Sequence, residues 1–127
     1  MSGWQAYVDN NLVGTKNLTQ AAIIGLDGSI WAISSGFTVS QQDGKILVAA
    51  FQDPSGIRAK GIFLNGVKYL VLRADERSIY GKKGSAGCVC VKTKQAVLIG
   101  IYNENIQPGQ AANTVEKLAD YLIDAGY

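Results

Sequence analysis

Apolar positions along this chain alternate between a helical and a strand period. Residues 3–12 repeat at helical spacing, with Trp4, Tyr7, Val8, Asn11 and Leu12 on one side of a short helix. Two apolar runs then follow, residues 21–26 and 29–34, on either side of Asp27-Gly28. An Asp-Gly pair between such runs predicts a two-residue hairpin turn in which both central residues take positive φ. Trp31 lies in the second arm. Further on, Ile46, Leu47, Ala50 and Phe51 recur as a helical stripe, which Asp53-Pro54-Ser55-Gly56 is expected to end.

A second hairpin is predicted from residues 60–64 and 67–73, which flank Asn65-Gly66. Residues 77–80 and 87–92 flank a loop of sequence GKKGSA. Residues 96–102 then pair back through Thr93-Lys94-Gln95, so the middle of the chain reads as an antiparallel meander. The best helix runs from about 109 to 125. Its stripe is Val115, Leu118, Ala119 and Leu122, with Pro108 just upstream and Gly126 past the end. Helix, hairpin, short helix, meander, helix is an α+β order: a central antiparallel β-sheet with helices packed on it.

Composition narrows the chemistry. At 127 residues, 47% hydrophobic and 17% charged, the chain is expected to fold as one domain over residues 1–127. No stretch approaches the ~20 apolar residues that span a bilayer. No basic, secretory-type leader is visible, and an intracellular location is expected. There is no histidine. Ser-His-Asp and Cys-His nucleophilic sites are therefore excluded, and catalysis is disfavoured. Cys88 and Cys90 are too few ligands for structural zinc. They share one strand face, where a disulfide would be strained, and read as small buried hydrophobes. The neighbouring Asp75 and Glu76 would diverge at a turn and fail as a catalytic carboxylate pair. No cofactor or metal is expected.

Charge is uneven. Residues 58–94 hold nine basic residues against two acidic ones, about +7, while the flanks are about −5. This asymmetry points to a basic face for an acidic partner, although solvated strand faces give the same count. The lysines of YGKKGSAG sit among glycines but fail the spacing of a phosphate-binding loop. What remains is a flexible basic hairpin loop. It suits an acidic surface or lipid headgroups, or is simply a soluble turn.

The aromatics form a second constellation. Trp4 and Tyr7 lie one helical turn apart, and Tyr121 borders the stripe of the last helix. If the two terminal helices lie side by side over the first hairpin, Trp4, Tyr7, Trp31, Tyr121 and Tyr127 converge. Such rings form a groove for a polyproline II ligand, whose carbonyls have no internal partners. Ordinary core packing would use the same spacing.

The segments WQAYVDNNL, AAIIGLDGSIWA, YGKKGSAG and IGIYNENIQPGQAANTVEKLADYL occur in this order. Together they resemble the profilins, in particular the small amoeba and plant type, across the whole chain. The resemblance implies that the N- and C-terminal helices pack together on one sheet face and shorter helices on the other. It implies a cytoplasmic, cytoskeletal protein that binds monomeric actin one to one, proline-rich proteins such as formins, and phosphatidylinositol 4,5-bisphosphate. Carried over by position, the polyproline groove falls on Trp4, Tyr7, Trp31, Tyr121, Leu122 and Tyr127. The actin surface falls on Lys68, Arg73, Lys82, Lys83, Lys92, Gln107, Pro108, Gly109, Asn113 and Glu116. The phosphoinositide contacts fall on Arg73, Lys82 and Lys83.

The leading expectation is therefore a monomeric adaptor, not an enzyme, that regulates actin polymerisation and nucleotide exchange on actin. The alternative is a membrane-surface regulator for which phosphoinositide binding comes first and actin second. A small phosphate-ester enzyme is the weakest reading, and nucleic acid is not an expected partner.

Overall fold

A computed structural model of the chain describes residues 2–127. Seven strands form one antiparallel sheet: β1 (Gln20–Gly25), β2 (Ile30–Ile33), β3 (Ile62–Leu64), β4 (Val67–Ala74), β5 (Ser78–Lys83), β6 (Ala86–Lys92) and β7 (Ala96–Tyr102). Their order is β2-β1-β7-β6-β5-β4-β3. The expected meander is present from β3 to β7, and the first hairpin extends the sheet by pairing β1 with β7, Ile23 opposite Leu98.

Alternation along these strands builds two cores, because successive side chains leave opposite faces. On one face Ile24, Ile79, Cys88, Cys90 and Ile99 pack against Leu47 and Phe51 of α2 (Gln41–Gln52) and Ile57 of α3 (Pro54–Lys60). On the other, Ala21, Ile23, Val89, Val91 and Leu98 pack against the two chain ends. Those ends are α1 (Ser2–Ala6), which runs on through π-helical turns over Tyr7–Leu12 and a 3₁₀ turn over Val13–Thr15, and α4 (Pro108–Asp124). The terminal helices thus share one face and the short helices take the other, as the resemblance implies. Cys88 and Cys90 are buried and free, as expected for small hydrophobes.

Three expectations need correction. Asp27-Gly28 is not a two-residue turn with two positive φ angles. Only Gly28 is left-handed, at φ 85°. Its N–H donates to the Gly25 carbonyl at 3.0 Å, and the Gly25 N–H donates to Ser29 O at 2.8 Å. The loop therefore holds three residues with glycine last, another common hairpin solution. Asn65-Gly66, by contrast, has φ values of 52° and 75°, the expected turn.

Second, Asp53-Pro54-Ser55-Gly56 ends α2 but also begins α3, which the sequence reading missed. Proline sits in the first turn, where its absent N–H costs nothing. Third, YGKKGSAG is not a flexible loop. Lys82 and Lys83 belong to β5 and pair with Gly87 and Ala86, which leaves only Gly84-Ser85 as the turn. As neighbours in a strand, the two lysines leave the sheet on opposite faces.

Candidate functional site

The first helix reaches the edge strand β2 through one side chain. The Gln5 carboxamide donates from Nε2 to Ile33 O at 2.9 Å and accepts the Ile33 N–H at 3.3 Å. This pairs the exposed backbone edge of β2 much as another strand would, and it fixes Trp4 over Trp31. The sequence reading passed over Gln5. Its signal was a carboxamide set between the aromatics Trp4 and Tyr7.

The aromatics converge. The Trp4 ring lies 4.9 Å from Trp31, 5.8 Å from Tyr7 and 5.2 Å from Tyr127, the last pair edge-on. Tyr7 lies 6.2 Å from Tyr121. These spacings suit tilted and edge-to-face ring pairs. The rings are not all core: Tyr121 is 57% exposed and Tyr127 43%. Leu122, placed in the same groove by the resemblance, is fully buried and supports the rings from beneath. The Tyr7 hydroxyl is held above its ordinary pKa, first by the adjacent Tyr121 hydroxyl and then by burial. Trp4, Ile30, Trp31, Gln95 and Tyr127 line an open cleft of about 390 Å³ at one end of the ring series.

Tyr127 is placed by the β6–β7 turn. Its main-chain oxygen accepts from the Gln95 N–H at 2.6 Å and from the Thr93 hydroxyl at 2.9 Å. Trp31 is placed by a missing side chain. A Cβ at Gly25 would stand 2.7 Å from Trp31 Nε1, so the indole can lie across β1 only over glycine.

The opposite edge of α4 carries a different chemistry. Glu116 is half-buried and accepts from the Arg77 guanidinium at 2.9 Å, from the Ser78 hydroxyl at 2.7 Å and from the Tyr80 hydroxyl. Asp120 takes a second contact from Arg77 at 2.8 Å. Burial and the Glu116 carboxylate together push the Tyr80 phenol up to about 12. Arg77, counted in the basic excess, is thus neutralised locally, and Glu116 serves as a bracket between α4 and β5. Arg73 lies over the Tyr80 ring, 5.3 Å from its centroid, and pairs with Asp75 at 3.0 Å. Burial alone would raise the Asp75 pKa, but the Ser78 and Arg77 N–H groups and Arg73 hold it low.

Beyond this bracket lies an uncovered face. Lys82 stands opposite Leu70, and Lys68 stands opposite Phe63. Lys68, Lys82 and Lys83 make no ion pair among the described residues. Leu70 is 65% exposed, Leu72 in the β4 bulge 61%, and Phe63 46%. The sequence reading found the lysines and missed these apolar neighbours. Their signal was VKYLVLR, which is apolar on both faces. Gln107, Pro108 and Gly109 are exposed at the start of α4, and Lys92 is half-buried at the end of β6. Asn113 is exposed and lines a cleft toward Tyr7 and Tyr121.

A family model described as Profilin matches residues 2–127. The chain belongs to the profilin family. It is 62% identical over 124 residues to Profilin-2 of Acanthamoeba castellanii, covering 98% of each chain. The solved structure of Acanthamoeba castellanii profilin IB, also 62% identical, superposes with a TM-score of 0.96 over 98% of this chain and 99% of that one. Mouse profilin IIa, solved in complex with a double repeat from the FH1 domain of mDia1, is 23% identical and shares the profilin fold at a TM-score of 0.81, over 98% of this chain and 99% of that one.

Proposed function

We propose that this chain is a cytoplasmic adaptor that binds monomeric actin through the β4–β5 face and proline-rich segments through the aromatic groove. The observation that carries this reading is the division made by α4. Tyr121 on one edge faces Tyr7, and Glu116 and Asp120 on the other face Arg77 in the β4–β5 turn. Two ligands can therefore be held at once, which raises the local concentration of actin at a proline-rich assembly factor.

Each surface has the chemistry its ligand needs. Polyproline II exposes rings and unpaired carbonyls, which suit tilted aromatics carrying indole N–H and phenol groups. That mouse profilin IIa was solved with an FH1 double repeat supports the same class of ligand here. The exposed Leu70, Leu72 and Phe63 among Lys68, Lys82 and Arg73 form an apolar centre with a basic rim, the usual anatomy of a protein interface. We place phosphoinositide binding on Arg73, Lys82 and Lys83; Arg73 and Lys82 share the actin face, so lipid and actin compete there, while Lys83 leaves β5 on the opposite face. Preferential binding to an open state of actin would speed nucleotide exchange by shifting that population.

The test is capture on immobilised poly-L-proline followed by titration with monomeric actin. The bound protein should take up one actin per chain, with an affinity within a few fold of that in solution. Mutual exclusion of actin and a short oligoproline would overturn the delivery reading.

A further inference from the structure

The tip of the β5–β6 hairpin carries a hydroxyl that neither binding surface uses. Its turn is Gly84-Ser85, closed by the pair of Lys83 with Ala86. Gly84 has φ 60° and Ser85 is not left-handed, so glycine takes the first position of a two-residue turn. Ser85 is exposed, and its hydroxyl makes no hydrogen bond among the described residues. Lys82 and Lys83, three and two residues before it, are also exposed and make no ion pair among the described residues. The carboxylates that meet β5 are taken: Asp75 pairs with Arg73, and Glu116 with Arg77 and the hydroxyls of Ser78 and Tyr80. Among the serines and threonines of the chain, Ser85 alone has basic residues at both of these positions. Ser78 and Thr93 each follow one basic residue, but both are buried and bonded, to Glu116 and to Tyr127.

We propose that Ser85 is phosphorylated by a kinase that selects serine behind two basic residues, and that the phosphate releases the hairpin from phosphoinositide. Kinases discriminate substrates by charge pattern, and those of this class place acidic side chains for the basic residues before the serine. Lys82 and Lys83 are open to such a pocket. Presenting Ser85 requires only the Lys83–Ala86 pair to part, and exposed tips open at low cost. In the transfer, the Ser85 oxygen forms a bond to the γ-phosphorus of magnesium-bound ATP. The bond from that phosphorus to the bridging oxygen breaks, and ADP leaves with the electron pair. The hydroxyl proton passes to the catalytic carboxylate of the kinase. The product adds about two negative charges beside Lys82 and Lys83 and offsets both. It sits at the turn, between the two sheet faces, so it reaches the lysine of each. The aromatic groove is out of range: strand β6 separates this tip from the Thr93 turn that holds Tyr127, by ~20 Å at ~3.3 Å per residue. The modification rests on the hairpin alone, and its effect on lipid rests on the placement of phosphoinositide given above.

The experiment treats the full chain with magnesium, ATP and the catalytic subunit of cyclic-AMP-dependent kinase, and locates the phosphate by mass spectrometry. Phosphate should appear on Ser85, be absent from Ser85→Ala, and form several-fold more slowly in the variant carrying both Lys82→Ala and Lys83→Ala. Flotation with phosphatidylcholine vesicles containing phosphatidylinositol 4,5-bisphosphate then compares the two forms. Phosphorylation should weaken vesicle binding about thirtyfold, two basic residues at roughly fivefold each. Decaproline affinity, read by tryptophan fluorescence, should stay unchanged. No phosphate on Ser85, or a rate indifferent to the two lysines, would overturn the assignment of the site. Equal flotation of the two forms would overturn the release. Failure of the unmodified chain to float would overturn the phosphoinositide reading and the release with it, while the phosphate on Ser85 is judged separately by its mass.

Discussion

The Thr93 hydroxyl donates to the main-chain oxygen of Tyr127 at 2.9 Å. A residue of the β6–β7 turn thus sets the position of an aromatic ring in the groove, 34 residues away in sequence. The same hydroxyl oxygen accepts the Ala96 N–H at 3.1 Å, so Thr93 closes its own turn with the other side of one atom. Thr93→Val removes both bonds inside a buried site, and each unpaired group costs about 1–3 kcal/mol. We expect a lower Tm together with several-fold weaker oligoproline binding, read by tryptophan fluorescence. Thr93→Ser should restore both. Weakened stability with unchanged oligoproline affinity would mean that the turn does not govern the groove.

Tyr121 tests the groove with little structural cost, because its ring is largely exposed. Aromatic anchors that dominate an interface cost about 2 kcal/mol or more on truncation, roughly thirtyfold in affinity. Tyr121→Ala should lose oligoproline binding on that scale, with the Tm within a few degrees of wild type and actin binding retained. Calorimetric titration with decaproline distinguishes this from a ring that merely decorates the surface.

Gly25 tests how Trp31 is held. Alanine there brings a methyl to 2.7 Å from the indole nitrogen, inside any van der Waals contact. The ring has to tilt away from β1 and disturb its packing with Trp4. Gly25→Ala should shift the tryptophan emission maximum and weaken oligoproline binding while actin binding persists. An unshifted spectrum would show that the indole has room to spare.

Tyr80 and Tyr69 are both pushed up to about 12, the latter by burial beside Cys88 and Cys90. A phenol whose folded pKa exceeds its unfolded value of ~10 contributes stability fully present below pH ~10. That contribution is lost as pH rises toward 12. Alkaline titration followed at 295 nm should therefore show Tyr69 and Tyr80 among the last of the six tyrosines to ionise, close to alkaline unfolding. Tyr80→Phe should remove one late phenol and flatten the loss of stability between pH 10 and 12. If both phenols titrate near 10, the Tyr80–Glu116 contact does not persist in solution.

Lys82 and Lys83 separate the basic ligands. Because they leave β5 on opposite faces, Lys82→Glu, beside Leu70 and Tyr80, should weaken actin binding more than Lys83→Glu. Surface charge steers association, so the loss should appear mainly in the on-rate and shrink with salt. Stopped-flow association with labelled actin, beside vesicle flotation with phosphatidylinositol 4,5-bisphosphate, compares the two variants. Equal effects of both on actin would place the contact at the hairpin tip instead of on one strand face.

Local chemistry made most of the architecture legible. The stripe of Val115, Leu118, Ala119 and Leu122 marked α4, and Asn65-Gly66 marked a turn that only two left-handed residues can make. Such signals act over a few residues, where periodicity and φ preference suffice. Motif order likewise exposed the family. Other features depended on neighbours that no local window contains. Whether Asp27-Gly28 closes a two- or three-residue loop follows from the pairing of β1 with β2. The same holds for Lys82 and Lys83, whose strand positions come from the β5–β6 register. The pairing of Arg77 with Glu116 joins the β4–β5 turn to α4, and it turns an apparent surface cation into part of a bracket. The groove itself is wholly tertiary: Trp4, Trp31, Tyr121 and Tyr127 meet because Gln5 docks one chain end on β2 and Thr93 holds the other. The chain order supplies the rings, but only the packing of both ends over one sheet face brings neighbouring rings of the series, Trp31–Trp4 to Tyr7–Tyr121, to centroid distances of 4.9–6.2 Å.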